Sequence, residues 1–219
     1  MRPANSTCVM VRAALLTVAL PLMPHSGAAE VLVDHPWAPS GASDAASQRD
    51  VCVAYDDFVL DAPAAIGHVA WWGKHRPGMS RQAFSINFYS DANGRAGAPL
   101  SSQTIDGAAS ESFVESVFGW DSYSHGADLP TPFIAQPNAK YWLSILDETP
   151  LGDGNQWFWD GSDGGNWSSY LVYHDMTTTY RCDRAFVLST ARAPAVPEAG
   201  TLTLLLGAAP FALIARRRR

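Results

Sequence analysis

Through the middle of the chain, apolar and polar residues alternate with a period of two. Gln82 to Ser90 shows this most plainly. Phe84, Ile86 and Phe88 fall on one side, Ser85, Asn87 and Tyr89 on the other, as successive side chains of a strand do. Asp91-Ala92-Asn93-Gly94 then closes the run with turn residues. Runs rich in aromatic and β-branched residues, bounded by Gly, Pro, Asn or Asp, extend the pattern: Val51 to Leu60, Ile66 to Trp72, Ser112 to Trp120, Thr131 to Gln136, Lys140 to Leu146, Gln156 to Asp160, Leu171 to Tyr173 and Ala185 to Thr190. No long window between these runs is amphipathic at helical spacing. The pattern predicts an all-β domain over 51–190, a two-sheet antiparallel sandwich, jelly-roll-like, of about nine strands. The segment 30–50, rich in Ala, Ser, Gly and Pro toward its end, is expected to be an irregular lead-in, and 191–195 a linker.

The two ends break the pattern. Met1 to Ala29 has Arg2 and Arg12 before an apolar run, Ala13 to Met23, followed by the small residues Gly27-Ala28-Ala29. This is the layout of a cleavable signal peptide, with signal peptidase cutting before Glu30. At the other end, Val196-Pro197-Glu198 precedes an uncharged run from Leu202 to Ala215, and Arg216, Arg217, Arg218 and Arg219 close the chain. As a helix the uncharged run would be about 21 Å long, short against a hydrocarbon core of about 30 Å. Gly207 and Pro210 weaken it further. The arginines would stay cytoplasmic. The expectation is transient membrane insertion and removal of the tail, the alternative being a retained anchor.

This tail resembles the PEP-CTERM sorting signal of Gram-negative bacteria, whose third motif residue, proline, is here Ala199. The resemblance implies recognition and cleavage by an exosortase, an integral-membrane cysteine protease. It also implies export across the inner membrane to the cell surface or an exopolysaccharide matrix. Asp56-Asp57-Phe58, Trp71-Trp72-Gly73, Phe84 to Tyr89, Thr131-Pro132-Phe133, Tyr141 to Ile145 and Ala185-Phe186 are similar, in order, to a β-sandwich ectodomain carried by such proteins. That likeness implies the fold and no activity.

Subtracting both ends changes the charge. Six of the 15 basic residues and one of the 21 acidic ones lie outside 30–195, leaving 9 against 20, a net of −11. So acidic a domain is a poor partner for nucleic acid or anionic membranes. It suits neutral glycans or divalent cations. Cys8 leaves with the signal peptide. Cys52 and Cys182 remain in an oxidising compartment and are expected to form a disulfide, each sharing strand parity with core residues. Closing so long a loop would stabilise by about 5 kcal/mol; two separate thiols are the alternative.

Two groups of side chains are candidate sites. Trp157 and Trp159 share a strand face and Trp167 follows in a loop, a possible stacking surface for sugar rings; the competing reading is that tryptophan fills the core. Asp153, Asn155, Asp160 and Asp163 lie among glycines, offering oxygen ligands for Ca²⁺, although no EF-hand spacing is present and Asp-Gly is also ordinary turn chemistry. Catalytic motifs are missing: there is no G-x-S-x-G, no H-E-x-x-H, and His35, His68, His75, His125 and His174 lack metal-ligand spacing. Asp147-Glu148 reads as a solvated turn more simply than as a glycosidase pair. The expectation is a non-enzymatic surface or matrix protein without a cofactor. A carbohydrate-binding module, with or without Ca²⁺, is the first alternative, its partner an exopolysaccharide. A matrix-acting hydrolase is the second.

Overall fold

In the computed structural model, residues 28–38, 45–48, 51–78, 83–106, 110–117, 119–150 and 156–191 are described. Both terminal segments, including the whole sorting motif Val196 to Arg219, lie outside them, as do Asp153 and Asn155. Among the described residues the strands are, in chain order, β1 (Val31–His35), β2 (Ala45–Ala46), β3 (Cys52–Val59), β4 (Ala64–His75), β5 (Ala83–Asp91), β6 (Ala96–Asp106), β7 (Ser110–Val117), β8 (Trp120–Ala135), β9 (Lys140–Asp147), β10 (Phe158–Trp159), β11 (Gly161–Ser162), β12 (Ser169–Tyr173), β13 (Met176–Tyr180), β14 (Asp183–Arg184) and β15 (Phe186–Thr190).

These strands pair antiparallel into two large sheets and one small one. One large sheet runs β13-β12-β3-β9-β5-β6. The other is built on β4, which holds β8 along one edge and shares the other edge between β15 and β10. Beyond these, β7 pairs β8, β1 pairs β15 and β2 pairs β10. The small sheet is β11-β14. The large sheets share one core, so the fold is sandwich-like. Trp71 of β4 meets Phe84 of β5 edge to face at 5.2 Å, and Phe133 of β8 stacks on Phe88 of β5 at 4.3 Å. Ile66, Val69, Ile86, Leu143, Ile145, Phe186 and Leu188 fill the space around these rings. At about 25 cal/mol per Å² of apolar surface, this burial is the main force holding the layers together.

The predicted turn is present: Asn93 and Gly94 take positive φ (56° and 78°), and the Asp91 carboxylate accepts the Gly94 N–H at 3.2 Å. Three expectations are corrected. The first is the irregular lead-in, which contains β1, paired with β15 from Val31 to His35. The second is the bounds of two strands: Ser112 to Trp120 ends earlier, as β7 at Val117, and the strand expected over Thr131 to Gln136 begins much earlier, β8 running from Trp120 to Ala135. Pro130 and Pro132 cannot donate to a ladder, and the β4–β8 register shifts beside them, between Ile66 and His68.

The third is the disulfide. Cys52 and Cys182 are both buried thiols, not joined to each other. Cys52 faces Tyr173 across the β3–β12 ladder. Cys182 lies at the other end of that ladder, where its carbonyl accepts the Ser169 hydroxyl at 2.6 Å and Ser169 faces Asp56. The two ends, Cys52 and Asp56 on β3, are four residue steps apart, about 13 Å, whereas a disulfide needs Cα atoms within about 7 Å.

Candidate functional site

The tryptophan trio does not assemble. Trp157 and Trp159 are both 0% exposed, while Trp167 is 62% exposed. Trp157 lies against the backbone of Gly73: a Cβ there would stand 2.3 Å from its ring. It also meets Phe84 edge to face at 5.2 Å. Trp159 donates its indole N–H to the Ala185 carbonyl at 3.0 Å. Their shared strand face is therefore the core face, and the sugar-stacking expectation for this pair is corrected. Of the two described calcium candidates, Asp163 is exposed. Asp160 is buried and engaged inward, accepting the Trp37 indole N–H at 3.0 Å with the Lys74 ammonium 3.7 Å away. Among the described residues no three His, Cys, Asp or Glu side chains are grouped to hold a metal ion. Asp147 is not solvated either; it is fully buried, and its carboxylate accepts the Thr149 N–H at 2.9 Å.

A buried acid cluster lies where β1, β3, β12 and β14 meet. Asp56, Asp57, Asp183 and Arg184 are all fully buried. Asp56 accepts the N–H of Asp57 at 2.8 Å and of Arg184 at 2.5 Å, and lies 3.4 Å from His35 Nδ1. Burial pushes its carboxyl up to about 7; the His35 hydrogen bond pulls the other way and the Asp183 charge adds to the rise. Burial opposes a charged ring at His35, but Asp56 beside it outweighs this and the imidazole pKa is raised. Asp183 accepts the backbone N–H groups of Trp167 and Ser168 at 2.8 and 2.7 Å. Asp57 takes the Asn166 amide at 2.6 Å and pairs with Lys140. The Arg184 guanidinium reaches the Cys182 Sγ at 2.8 Å, the Ser169 hydroxyl and the Trp159 carbonyl, and lies 5.0 Å over the Tyr180 ring. Two adjacent aspartates inside the apolar run VCVAYDDFVL were the sequence signal for this cluster, since buried carboxylates demand partners.

A second arrangement joins residues distant in sequence. His75 and His125 stand 4.0 and 3.8 Å from the two oxygens of Glu111. The antiparallel ladders β4–β8 and β7–β8 bring them together. Tyr123 stacks on His75 at 4.6 Å and Trp71 on His125 at 5.4 Å. No sequence spacing signals such a group, because three strands contribute one residue each.

The third arrangement is the outer face of the six-stranded sheet. Tyr55 and Asp57 on β3, Trp142 and Ser144 on β9, and Ser85, Asn87 and Tyr89 on β5 alternate with the core residues Ala54, Phe58, Leu143, Ile145, Ile86 and Phe88. Tyr170 stacks on its register partner Tyr55 at 4.8 Å and meets Trp142 edge to face at 5.0 Å. Trp142 donates to Asp91 at 2.8 Å, which holds that carboxyl below its usual range. Burial pushes the Tyr55 hydroxyl pKa up, and Tyr89 and Tyr170 add to it. The Tyr55 hydroxyl therefore stays a neutral donor and acceptor near neutrality. The acid cluster can brace strand ends, and the outer face can stack and hydrogen-bond a ligand. In comparison with known proteins, no protein-family model matches the chain and no curated protein matches it.

Proposed function

We propose that this is an exported Gram-negative bacterial protein of the cell surface or exopolysaccharide matrix, whose jelly-roll-like sandwich acts by binding and not by catalysis. Signal peptidase removes Met1 to Ala29, and an exosortase-type protease reads and removes the tail from Val196 to Arg219 after transient insertion. The observation that favours binding is the use of the carboxylates. Asp56, Asp57 and Asp183 accept backbone N–H groups, an amide and an ammonium, bonds that hold strand ends. In an exosortase-deficient strain the protein should keep its tail, gaining roughly the mass of that segment, and should remain cell-associated. An unchanged mass and destination would remove the sorting part of the reading.

The carbohydrate-binding alternative gains its support from the outer sheet face, in place of the buried Trp157 and Trp159. A surface of Tyr, Trp, Ser and Asn offers rigid rings and adaptable hydrogen bonds together.

A further inference from the structure

We infer that the outer face of the six-stranded sheet, centred on Tyr55 and Tyr89, is a binding site for a neutral polysaccharide chain; this rests on the matrix reading above. Its core is a relay of side chains crossing β3, β5, β9 and β6. The Tyr55 and Tyr89 rings meet edge to face at 5.5 Å. The Tyr89 hydroxyl lies 3.4 Å from the Ser144 Oγ, which accepts the Asn87 amide N–H at 3.2 Å. The Asn87 carbonyl oxygen accepts the Ser102 hydroxyl at 2.5 Å. Asn87 faces Ser144 on one side and Ser102 on the other in the sheet register, so the relay lies straight across the strands.

Three properties select the ligand class. A hydroxyl both donates and accepts and turns its hydrogen to suit. Four of the five relay members carry hydroxyls, the group a sugar also presents; Tyr55, Tyr89 and Ser102 reach solvent, while Ser144 and Asn87 are buried and hold them in register. The rings supply the other half: Tyr55 and Tyr89 are half-buried, above the buried Tyr170 and Trp142. Rings already packed lose little freedom when a ligand stacks on them. The third property is charge. Lys140 is tied to Asp57, and Asp91 takes the Trp142 N–H. The relay itself is uncharged, in a segment of net −11. Anionic polymers would be repelled. None of the large exposed apolar side chains belongs to the relay.

The test is affinity electrophoresis of the full chain, purified from the producing strain, in native gels cast with dextran, mixed-linkage β-glucan or galactomannan, with alginate as the anionic control. Retardation is expected in at least one neutral gel and not in alginate. The pair Tyr55→Phe and Tyr89→Phe keeps both rings and removes both hydroxyls, and should weaken that retardation about tenfold with an unchanged circular dichroism spectrum. Asn87→Ala breaks the relay at another strand and should act in the same direction. Equal migration of the wild type in every neutral gel, or equal retardation of the Phe pair and the wild type, would overturn the inference. Fractionation of the same strain separates the two readings: matrix localisation without glycan retardation sinks the binding face alone, and loss of localisation sinks the export reading.

Discussion

At Trp167 the backbone takes the left-handed conformation, φ 64°, which a bulky side chain avoids. What holds it there is the fully buried Asp183 carboxylate, which accepts the N–H of Trp167 and of its neighbour Ser168. Gly165 completes the turn at φ 91°; a Cβ there would stand 1.9 Å from Asp183 Oδ2, so only glycine lets the loop close over the acid. The indole is 62% exposed and so recovers little of this strain by burial. Trp167→Gly should therefore stabilise the fold, by about 1 kcal/mol once the left-handed penalty is weighed against the greater freedom of glycine in the unfolded chain. Urea titration checks this; a loss of stability would show that the indole supports the fold.

Among the elements, β4 carries the most. Its 12 residues run alongside β8 on one edge and β15 and β10 on the other. Gly73 is where Trp157 lies against the strand, at a distance that leaves no room for a methyl group. Gly73→Ala should cost about 1–3 kcal/mol as an overpacked core does, read as a lower thermal midpoint with a shift in tryptophan emission. An unchanged midpoint would mean that Trp157 can move aside freely. The elements hardest to read from sequence are the edges. In β6 and β13 most residues are exposed, and Pro99 sits where the β5–β6 register shifts. A strand with neither face well buried carries no apolar alternation, so Ala96 to Asp106 and Met176 to Tyr180 gave no period-two signal.

For the molecule as a whole, the acid cluster ties together four chain segments far apart in sequence and sets a pH dependence. The folded Asp56 pKa of about 7 lies above its ordinary 3.8, so the folded state holds a proton more tightly than the unfolded chain. Its contribution to stability is full below about pH 4 and is lost as pH rises through 7. His35, raised above 6.5, has the same sign and loses its contribution at higher pH. Asp91, held low, matters only in more acidic solution. The urea midpoint should fall between pH 5 and pH 8, and Asp56→Asn should flatten that fall while lowering stability through the poorer acceptor it leaves for Arg184 N–H. A wild-type midpoint that is flat or rises over that interval would count against a proton held at Asp56.

The sequence by itself determined the strand class and the parity of the central strands. Phe84, Ile86 and Phe88 are buried in the core while Ser85, Asn87 and Tyr89 line the outer face, because strand geometry alternates regardless of topology. It also made the DANG turn readable, since Asn and Gly accept positive φ. Which face was core for Trp157 and Trp159 was decided only when β10 paired with β4 and placed the indole of Trp157 against Gly73. The thiols show the same limit: parity put both cysteines among core residues, but antiparallel register placed them at opposite ends of one ladder. The candidate site follows this division. Its polar positions were visible along β5, and its identity as a site arose when register set Asn87 between Ser144 and Ser102, and Tyr55 beside Tyr170. Alternation is a local property of the backbone, whereas register and sheet partners depend on contacts between residues tens of positions apart.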